Sequence, residues 1–331
     1  MTVPLSQEEK RLLVTLADPQ ADPPEADAVN AVAPERIDAI IAHHAVGAMA
    51  RRKLRALGEG LSEPHREALA ERSEADEIAA AVTLDLEARG HAIRAAFDEA
   101  GIGYALVKGA VFATALYDDP VDRPFTDIDM LTAAGDEAKA GEVLRALGYE
   151  QSLKAHFDHS ESNREQKWVA PGARWVLVEL HGDLVHMPAL RRRVRYDLDV
   201  HRTAGAEGAE GAAHLCVAAV HAAAGHKFHN LRLLTDVLQA MRRLSETDMS
   251  HLATVWRRLS LGPELSQSLH LAGALFGERE RAQEVVATLG LPAASALVGS
   301  DQVLDTFCDR LNLSRVRRHL FRHRQIIGQR N

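Results

Sequence analysis

The first sixty residues alternate between stretches in which apolar side chains recur every three or four positions and a polar stretch without that spacing. The apolar spacing predicts helices over 5–17 and 35–57, separated by a linker over 18–34 that is rich in Pro and Asp. The second helix carries six apolar side chains on one broad face, namely Ile37, Ile40, Ile41, Val46, Met49 and Leu54. This face predicts a helix that packs against other helices.

The middle of the chain changes from helical spacing to short apolar runs, which are typical of strands. A helix over 62–100, interrupted once, is predicted to lead into this region, and further helices are expected over 110–117 and 135–147. The turn Pro171-Gly172-Ala173 is expected to join two strands as an antiparallel hairpin. The predicted strands are 103–107, one that contains Asp127 and Asp129, 154–159, 165–170 and 174–181.

The last third of the chain returns to helical spacing. Residues 205–211 are typical of a flexible junction, and helices are predicted from 212 onward with breaks at Gly262-Pro263 and Leu291-Pro292. We therefore expect an α+β protein with a small mixed-sheet core, a helical N-terminal extension and a helical C-terminal domain. The expected boundaries are 1–90, 91–204 and 205–331.

Two acidic residues flank an apolar one at Asp127, Ile128 and Asp129. Strand side chains alternate between faces, so the two carboxylates project the same way while Ile128 points into the core. Like-charge repulsion makes such a pair costly unless a cation lies between the acids, and a hard divalent ion is the usual solution. Glu179, at the end of a later apolar strand, can supply a third oxygen ligand. Each acid alone can also be solvated or cap a helix, so the prediction depends on their combination.

Three short motifs occur in a fixed order along the chain, Leu106-Val107-Lys108-Gly109, Asp127-Ile128-Asp129 and Val178-Glu179-Leu180-His181. They resemble the DNA polymerase beta-like nucleotidyltransferase superfamily, in particular its bacterial branch of poorly characterised nucleotidyltransferases. That branch carries Lys-Gly where classical members carry Gly-Ser. The resemblance covers roughly residues 90–190. It implies that Asp127, Asp129 and Glu179 bind Mg²⁺ ions that bridge the phosphates of a nucleoside triphosphate, with ATP as the expected donor.

The resemblance also suggests which residues bind the triphosphate. Lys108 is expected to reach a phosphate with its ammonium group, and Gly109 lets backbone N–H groups approach phosphate oxygens at a helix N-terminus. Arg123, in the loop before the acidic strand, is a second candidate because a guanidinium can bind two oxygens at once. Three roles are open for His181, which can orient a carboxylate, contact the substrate or be a satisfied buried histidine.

The C-terminal segment contains histidines and an aspartate at helical spacing, His226, His229 and Asp236. It lacks the His-Asp doublet of metal-dependent phosphohydrolases, so ordinary helix histidines are favoured over a metal site. Related proteins carry a similar helix beside the catalytic sheet. The resemblance therefore implies that Lys227 or Arg232 faces the nucleotide.

Composition limits the classes of partner. The chain has 331 residues, of which 46% are hydrophobic and 26% charged, as is typical of a soluble globular protein. Its formal net charge of −8 argues against a large nucleic-acid partner and favours a small-molecule or peptide acceptor. Basic stretches at 191–195 and 315–324 keep nucleic acid open. A toxin-like RNA nucleotidyltransferase and a non-catalytic nucleotide-binding module are the alternatives.

Cysteine usage and hydropathy suggest the compartment. Cys216 and Cys308 lie far apart in apolar helical surroundings, which predicts buried free thiols in a reducing compartment. The chain shows neither a basic start followed by an apolar run nor about 18 consecutive apolar residues. We expect a cytoplasmic protein without a membrane partner, and the sequence leaves its oligomeric state open.

Overall fold

The computed structural model describes residues 3–152, 165–308 and 313–327, and it has the α+β architecture that the sequence predicts. Helices surround a single five-stranded mixed sheet within these residues. The α-helices of the N-terminal part are α1 (Gln7–Ala17), α2 (Ala26–Asn30), α3 (Pro34–His43), α4 (Gly47–Ala56), α5 (Glu63–Glu71) and α6 (Ser73–Glu99). Those that follow β1 and β2 are α7 (Gly109–Leu116) and α8 (Glu137–Ala146).

The C-terminal part of the described chain is helical. Its α-helices are α9 (Pro188–Arg191), α10 (Leu198–Ala204), α11 (Glu210–Val220), α12 (Arg232–Arg242), α13 (Glu246–Leu259), α14 (Gly262–Leu275), α15 (Arg279–Leu289), α16 (Ser300–Leu304) and α17 (Leu313–Ile327). A π-helical turn at His221–Gly225 follows α11, an interruption that the sequence analysis does not predict. The predicted breaks at Gly262-Pro263 and Leu291-Pro292 are confirmed, because α14 begins at Gly262 and residues 291–299 are not helical.

The strands are β1 (Tyr104–Leu106), β2 (Asp127–Thr132), β3 (Glu150–Gln151), β4 (Glu165–Ala170) and β5 (Ala173–His181). Their order in the sheet is β1-β2-β5-β4-β3, in which β2 and β5 run parallel and the other pairs are antiparallel. The predicted hairpin of β4 and β5 is confirmed, and β4 has the expected bounds. The short edge strand β3 is not predicted by the sequence, and the predicted strand at 154–159 lies outside the described residues.

The single helix predicted over 35–57 is wrong, because the chain forms two helices, α3 and α4, separated by a turn. Ala45 has a φ of 56°, and this left-handed conformation interrupts the helical hydrogen-bond ladder. The six apolar side chains predicted to share a face are all buried even so, because the turn keeps both helices against the same core. The predicted linker at 18–34 contains α2.

Two hydrophobic clusters determine which face of the sheet is free for a site. On one face, apolar side chains of the strands pack against α6 and α8, and this cluster includes Leu86, Ile93, Phe97, Leu144, Ile128, Met130, Val178 and Leu180. A larger cluster joins the N-terminal helices to the C-terminal helices. The opposite face of the sheet carries the polar side chains described below.

The domain boundaries at 90/91 and 204/205 stay a prediction, although the first of them falls inside α6. Cys216 is buried and free, as expected, and the side chain of Cys308 is outside the described part of the chain. None of the helices in the described ranges combines the length and hydropathy needed to cross a bilayer.

Candidate functional site

Strand register brings polar side chains together on the free face of the sheet. Asp129 of β2 pairs with Glu179 of β5, and Glu179 pairs in turn with Lys167 of β4. Two residues further along β5, His181 pairs with Glu165 of β4. Because strand side chains alternate between faces, all five project from the same face of the sheet. Leu180, which lies between Glu179 and His181, belongs to the core on the other face.

One group of metal-ligand side chains combines Asp129, Glu179 and His181, each of which offers one atom within 4.8 Å of the others. His181 Nε2 lies 2.8 Å from Asp129 Oδ1 and 3.5 Å from Glu179 Oε2. Of the three roles open for His181, its position therefore favours orienting a carboxylate. Asp127 is not a member of this group, although it lines the same cleft. The structure thus brings together two of the three predicted acids with an imidazole.

Lys108 lies between the first strand and α7, and its side chain is bound to the acidic group. Its Nζ lies 2.5 Å from Asp129 Oδ1, and only 8% of the residue is exposed. Burial is the largest single influence and would lower the pKa of Lys108, but the charge and hydrogen bond of Asp129 together with the charges of Glu179 and Asp127 raise that pKa. Lys108 has a φ of 56°, a left-handed conformation that is uncommon for a residue with a side chain.

Gly109 continues this tight turn into the first residue of α7. Its φ is +24°, and an added Cβ would lie 3.4 Å from the carbonyl oxygen of Asp127. The 3.4 Å contact is an ordinary van der Waals distance, so it is the positive φ that favours glycine here. The N-terminus of α7 consequently opens into the cleft beside the acids, where its free N–H groups favour an anion.

The two aspartates have opposite electrostatic environments. Burial raises the pKa of Asp127 to about 6, and the nearby charges of Asp129 and Glu179 add to this effect. Burial would also raise the pKa of Asp129, but the charge of Lys108 and the hydrogen bond from His181 bring it well below its ordinary value. In the metal-free protein, Asp129 is thus a stabilised carboxylate, whereas charge on Asp127 is disfavoured.

Arg123, predicted to bind phosphate, lines the cleft, and its guanidinium contacts a buried acid. Its Nε and Nη2 donate to the two oxygens of Asp236 at 3.0 and 3.1 Å, and both residues are almost fully buried. The Tyr117 hydroxyl donates to the same carboxylate at 2.7 Å. The guanidinium thus joins the loop before β2 to α12. This pairing gives Arg123 a structural role, and phosphate binding by Arg123 stays a prediction that the geometry does not favour.

The structure distinguishes the two basic residues expected to face the nucleotide. Arg232 lines the cleft, together with the imidazoles of His221 and His226. Lys227 is not among the lining residues, and the charges that act on it come from Arg315, Arg318 and Arg322 of the C-terminal helix region. Burial first, and then the charges of Lys108 and Arg232, lower the pKa of His226 to about 4. The imidazole of His226 is therefore neutral near pH 7.

Three residues of the cleft are missed by the sequence analysis, Glu165, Lys167 and His186. Lys167 Nζ lies 2.9 Å from Glu165 Oε1 and also contacts Glu179 Oε1, while His186 Nδ1 lies 2.7 Å from Glu165 Oε2. Glu165 and Lys167 alternate along β4 just as the aspartates do along β2, which was the available signal. Only the register of β4 against β5 places them beside Glu179.

The complete cleft has a volume of about 410 Å³ and is lined by both acids and bases. Comparison with protein families matches residues 30–277, well over half of the chain, to a family described as "Uncharacterised nucleotidyltransferase". The chain belongs to this family. No curated protein and no solved structure gave a significant match. Membership supports nucleotidyl transfer as the general activity, with a nucleotide as substrate and usually a divalent metal.

Proposed function

We propose that the cleft is the active site of a Mg²⁺-dependent nucleotidyltransferase that moves a nucleoside monophosphate from a nucleoside triphosphate, with ATP as the expected donor. The acceptor is a hydroxyl or phosphate of a small molecule or peptide. Asp127, Asp129 and Glu179 are the proposed metal-binding acids. The proposal includes membership of the DNA polymerase beta-like superfamily, which the order of the three motifs supports.

The observation that carries the proposal is the alignment of Asp129 with Glu179 on adjacent parallel strands, directly beside the N-terminus of α7. Two carboxylates bind a divalent cation, and a helix N-terminus together with Lys108 favours the phosphates that the cation accompanies. Cation and anion binding groups thus occupy one cleft. The family match independently supports the same reaction class.

The donor set fits magnesium. Mg²⁺ prefers oxygen ligands and is usually bound through one or two carboxylates together with substrate phosphates, which is what Asp129 and Glu179 offer. Both acids contact ammonium groups here, Asp129 that of Lys108 and Glu179 that of Lys167. These contacts indicate that the acids require neutralisation by a cation. When bound, magnesium supplies positive charge that stabilises the triphosphate and the developing charge of the transition state.

The chain's own residues bind and orient in this scheme. An acceptor oxygen attacks the α-phosphorus, the bond from that phosphorus to the β-phosphate oxygen breaks, and pyrophosphate leaves. A hydroxyl acceptor gives its proton to water or to a cleft carboxylate. Lys108 and Arg232, which line the cleft, are the proposed phosphate-binding residues, and His181, in contact with Asp129, is the proposed orienting residue for that carboxylate. Most of the catalytic effect is then positioning and electrostatic stabilisation.

The two alternatives have less support. A toxin-like enzyme that acts on RNA would need the basic stretch 191–195 to border the cleft, and none of its residues is among those that line it. Within that stretch, Arg191 donates to the carbonyl oxygens of Val185 and His186, and Arg195 contacts Asp197. A non-catalytic module would not need to retain two buried acids at such electrostatic cost.

The test is to incubate the full chain with Mg²⁺, each of four nucleoside triphosphates and either metabolite and peptide extracts or RNA, and to search for a transferred nucleotide by mass. We expect a nucleotide adduct on a small acceptor. Asp127→Asn, Asp129→Asn and Glu179→Gln should abolish it, whereas Glu150→Gln, an exposed acid on the edge strand, should not. Near wild-type turnover by the Asp129 or Glu179 variant would refute the metal assignment, and adducts on RNA alone would favour the toxin-like alternative.

A further inference from the structure

A second group of metal-ligand side chains adjoins the group of Asp129, Glu179 and His181. The second group differs in its donor atoms. Glu165, His181 and His186 each offer one ligand atom within 4.8 Å of the others. Glu165 and His181 are directly paired across β4 and β5, and His186 follows β5 by five residues. The two imidazole ring centroids lie 5.5 Å apart in an edge-on arrangement. This group contains two nitrogen donors and one carboxylate.

Among the described residues, the buried imidazole of His181 has an unpaired nitrogen, which is a second, separate indication that a ligand binds here. The residue is fully buried, and its Nε2 contacts Asp129, but its Nδ1 contacts no hydrogen-bond partner within the described ranges. Buried polar atoms normally have a partner, and an unmet one is costly. One ring nitrogen of His181 lies within 4.8 Å of the ligand atoms of Glu165 and His186.

We propose that Glu165, His181 and His186 form a binding site for a divalent transition-metal ion, and we expect that ion to be Zn²⁺. This site is separate from the carboxylate site proposed for magnesium. Two histidines and one glutamate are a donor set that suits zinc, and three protein ligands leave a coordination position open. Magnesium is disfavoured here, because it prefers oxygen donors. Metal binding does not depend on the transfer reaction, although the two sites share the His181 ring.

A substitution at Lys167 tests this proposal in the opposite direction, because it should strengthen Zn²⁺ binding and not weaken it. Its ammonium group lies 2.9 Å from Glu165 Oε1 and therefore competes with a cation for that carboxylate. Replacing Lys167 with Met removes the competing charge and keeps an unbranched side chain of similar length. We expect Lys167→Met to bind Zn²⁺ more tightly than the wild type, which a merely structural role of the cluster would not produce.

The experiment is a calorimetric titration of Zn²⁺ into the metal-free full chain without nucleotide, supported by the visible absorption of bound Co²⁺. We expect one site per chain and a loss of affinity of at least about tenfold in His186→Ala and Glu165→Gln, since even outer-shell changes cost that much. His270→Ala, at an exposed helical position, is the matched control. Melting curves in chelator establish that each variant is folded.

Other outcomes separate this proposal from its competitors. The rings of His221 and His226 lie 4.7 Å apart in the same cleft, so a zinc affinity lost in His226→Ala and kept in His186→Ala would overturn the proposal. Unchanged or weaker binding by Lys167→Met would also contradict it. The Asp127→Asn variant should bind Zn²⁺ like the wild type. Zinc binding without nucleotidyl transfer would refute only the proposed function, and transfer without zinc binding would refute only this site.

Discussion

Asp127 provides a stability test of the electrostatics of the cleft that does not require a known acceptor. In the metal-free protein, burial and then the charges of Asp129 and Glu179 raise the pKa of Asp127 to about 6, and the opposing charges of Lys108 and Arg123 do not cancel this effect. Asp127→Asn keeps the shape of the side chain and removes its charge. We therefore expect the variant to be more stable than the wild type in the presence of a chelator.

The sign and size of the difference in free energy of unfolding between the variant and the wild type follow from proton linkage. Below pH about 4 the carboxyl group is protonated in both states, so the substitution has no electrostatic effect. Between pH about 4 and about 6 the unfolded chain has released a proton that the folded chain retains, and the wild-type free energy of unfolding falls as the pH rises. Above pH about 6 the full cost applies, at most about 3 kcal/mol, because each pH unit between 3.8 and about 6 corresponds to 1.36 kcal/mol.

The measurement is urea unfolding of the wild type and Asp127→Asn in chelator at about pH 7.5 and about pH 4, with Asp22→Asn as an exposed control. With about 2.1 cal/mol/K of unfolding entropy per residue, the melting temperatures should differ by at most about 4 °C at the higher pH. Magnesium with ATP should stabilise the wild type more than the variant and reduce or reverse the difference. Equal stability of the two proteins at about pH 7.5 in chelator would refute the reasoning.

Three further changes test two buried ion pairs and the interior of α6 by urea unfolding. Lys108→Ala should lower the free energy of unfolding by about 3–5 kcal/mol, because Asp129 loses its ammonium partner, and adding Asp129→Asn should restore part of it; no rescue would contradict the pairing. Asp236→Asn should cost a similar amount because it leaves the Arg123 guanidinium buried without its acid, and a loss below about 1 kcal/mol would argue against this. Gly90→Ala should stabilise by about 0.5–1 kcal/mol, because Gly90 lies inside α6 and an added Cβ meets nothing within 4 Å; a destabilised variant would show that the space is not free.

Local patterns were sufficient for much of the fold. The strand that contains Asp127, the hairpin at Pro171-Gly172 and the break at Pro263 depend on residues close in sequence, and each occurs where it is predicted. The break between α3 and α4 was missed because the apolar spacing continues across it. Ala45 has no intrinsic preference for a left-handed conformation, so only tertiary packing explains that turn.

The site shows the same division between local and long-range information. Alternation along β2 correctly places Ile128 in the core opposite the acids, because that rule needs one strand only. Lys167 and Glu165 were missed because their proximity to Glu179 depends on register between strands. The loop position of Arg123 predicts phosphate binding, but its partner Asp236 is more than a hundred residues away in sequence. No local pattern predicts such a pair.

Two lysines neutralise the buried acids of the cleft. Asp129 and Glu179 are each in contact with an ammonium group, from Lys108 and Lys167 respectively, and unpaired charges at such depth would cost several kcal/mol. A magnesium–triphosphate complex carries both a cation for the carboxylates and anions for the lysines. When this complex binds, the carboxylates can pair with magnesium and the lysines with phosphates, so none of these charges is left unpaired. We expect the complex to bind more tightly than Mg²⁺ alone. The metal by itself would displace Lys108 from Asp129 and offer it no new partner, whereas Lys167 keeps its contact with Glu165.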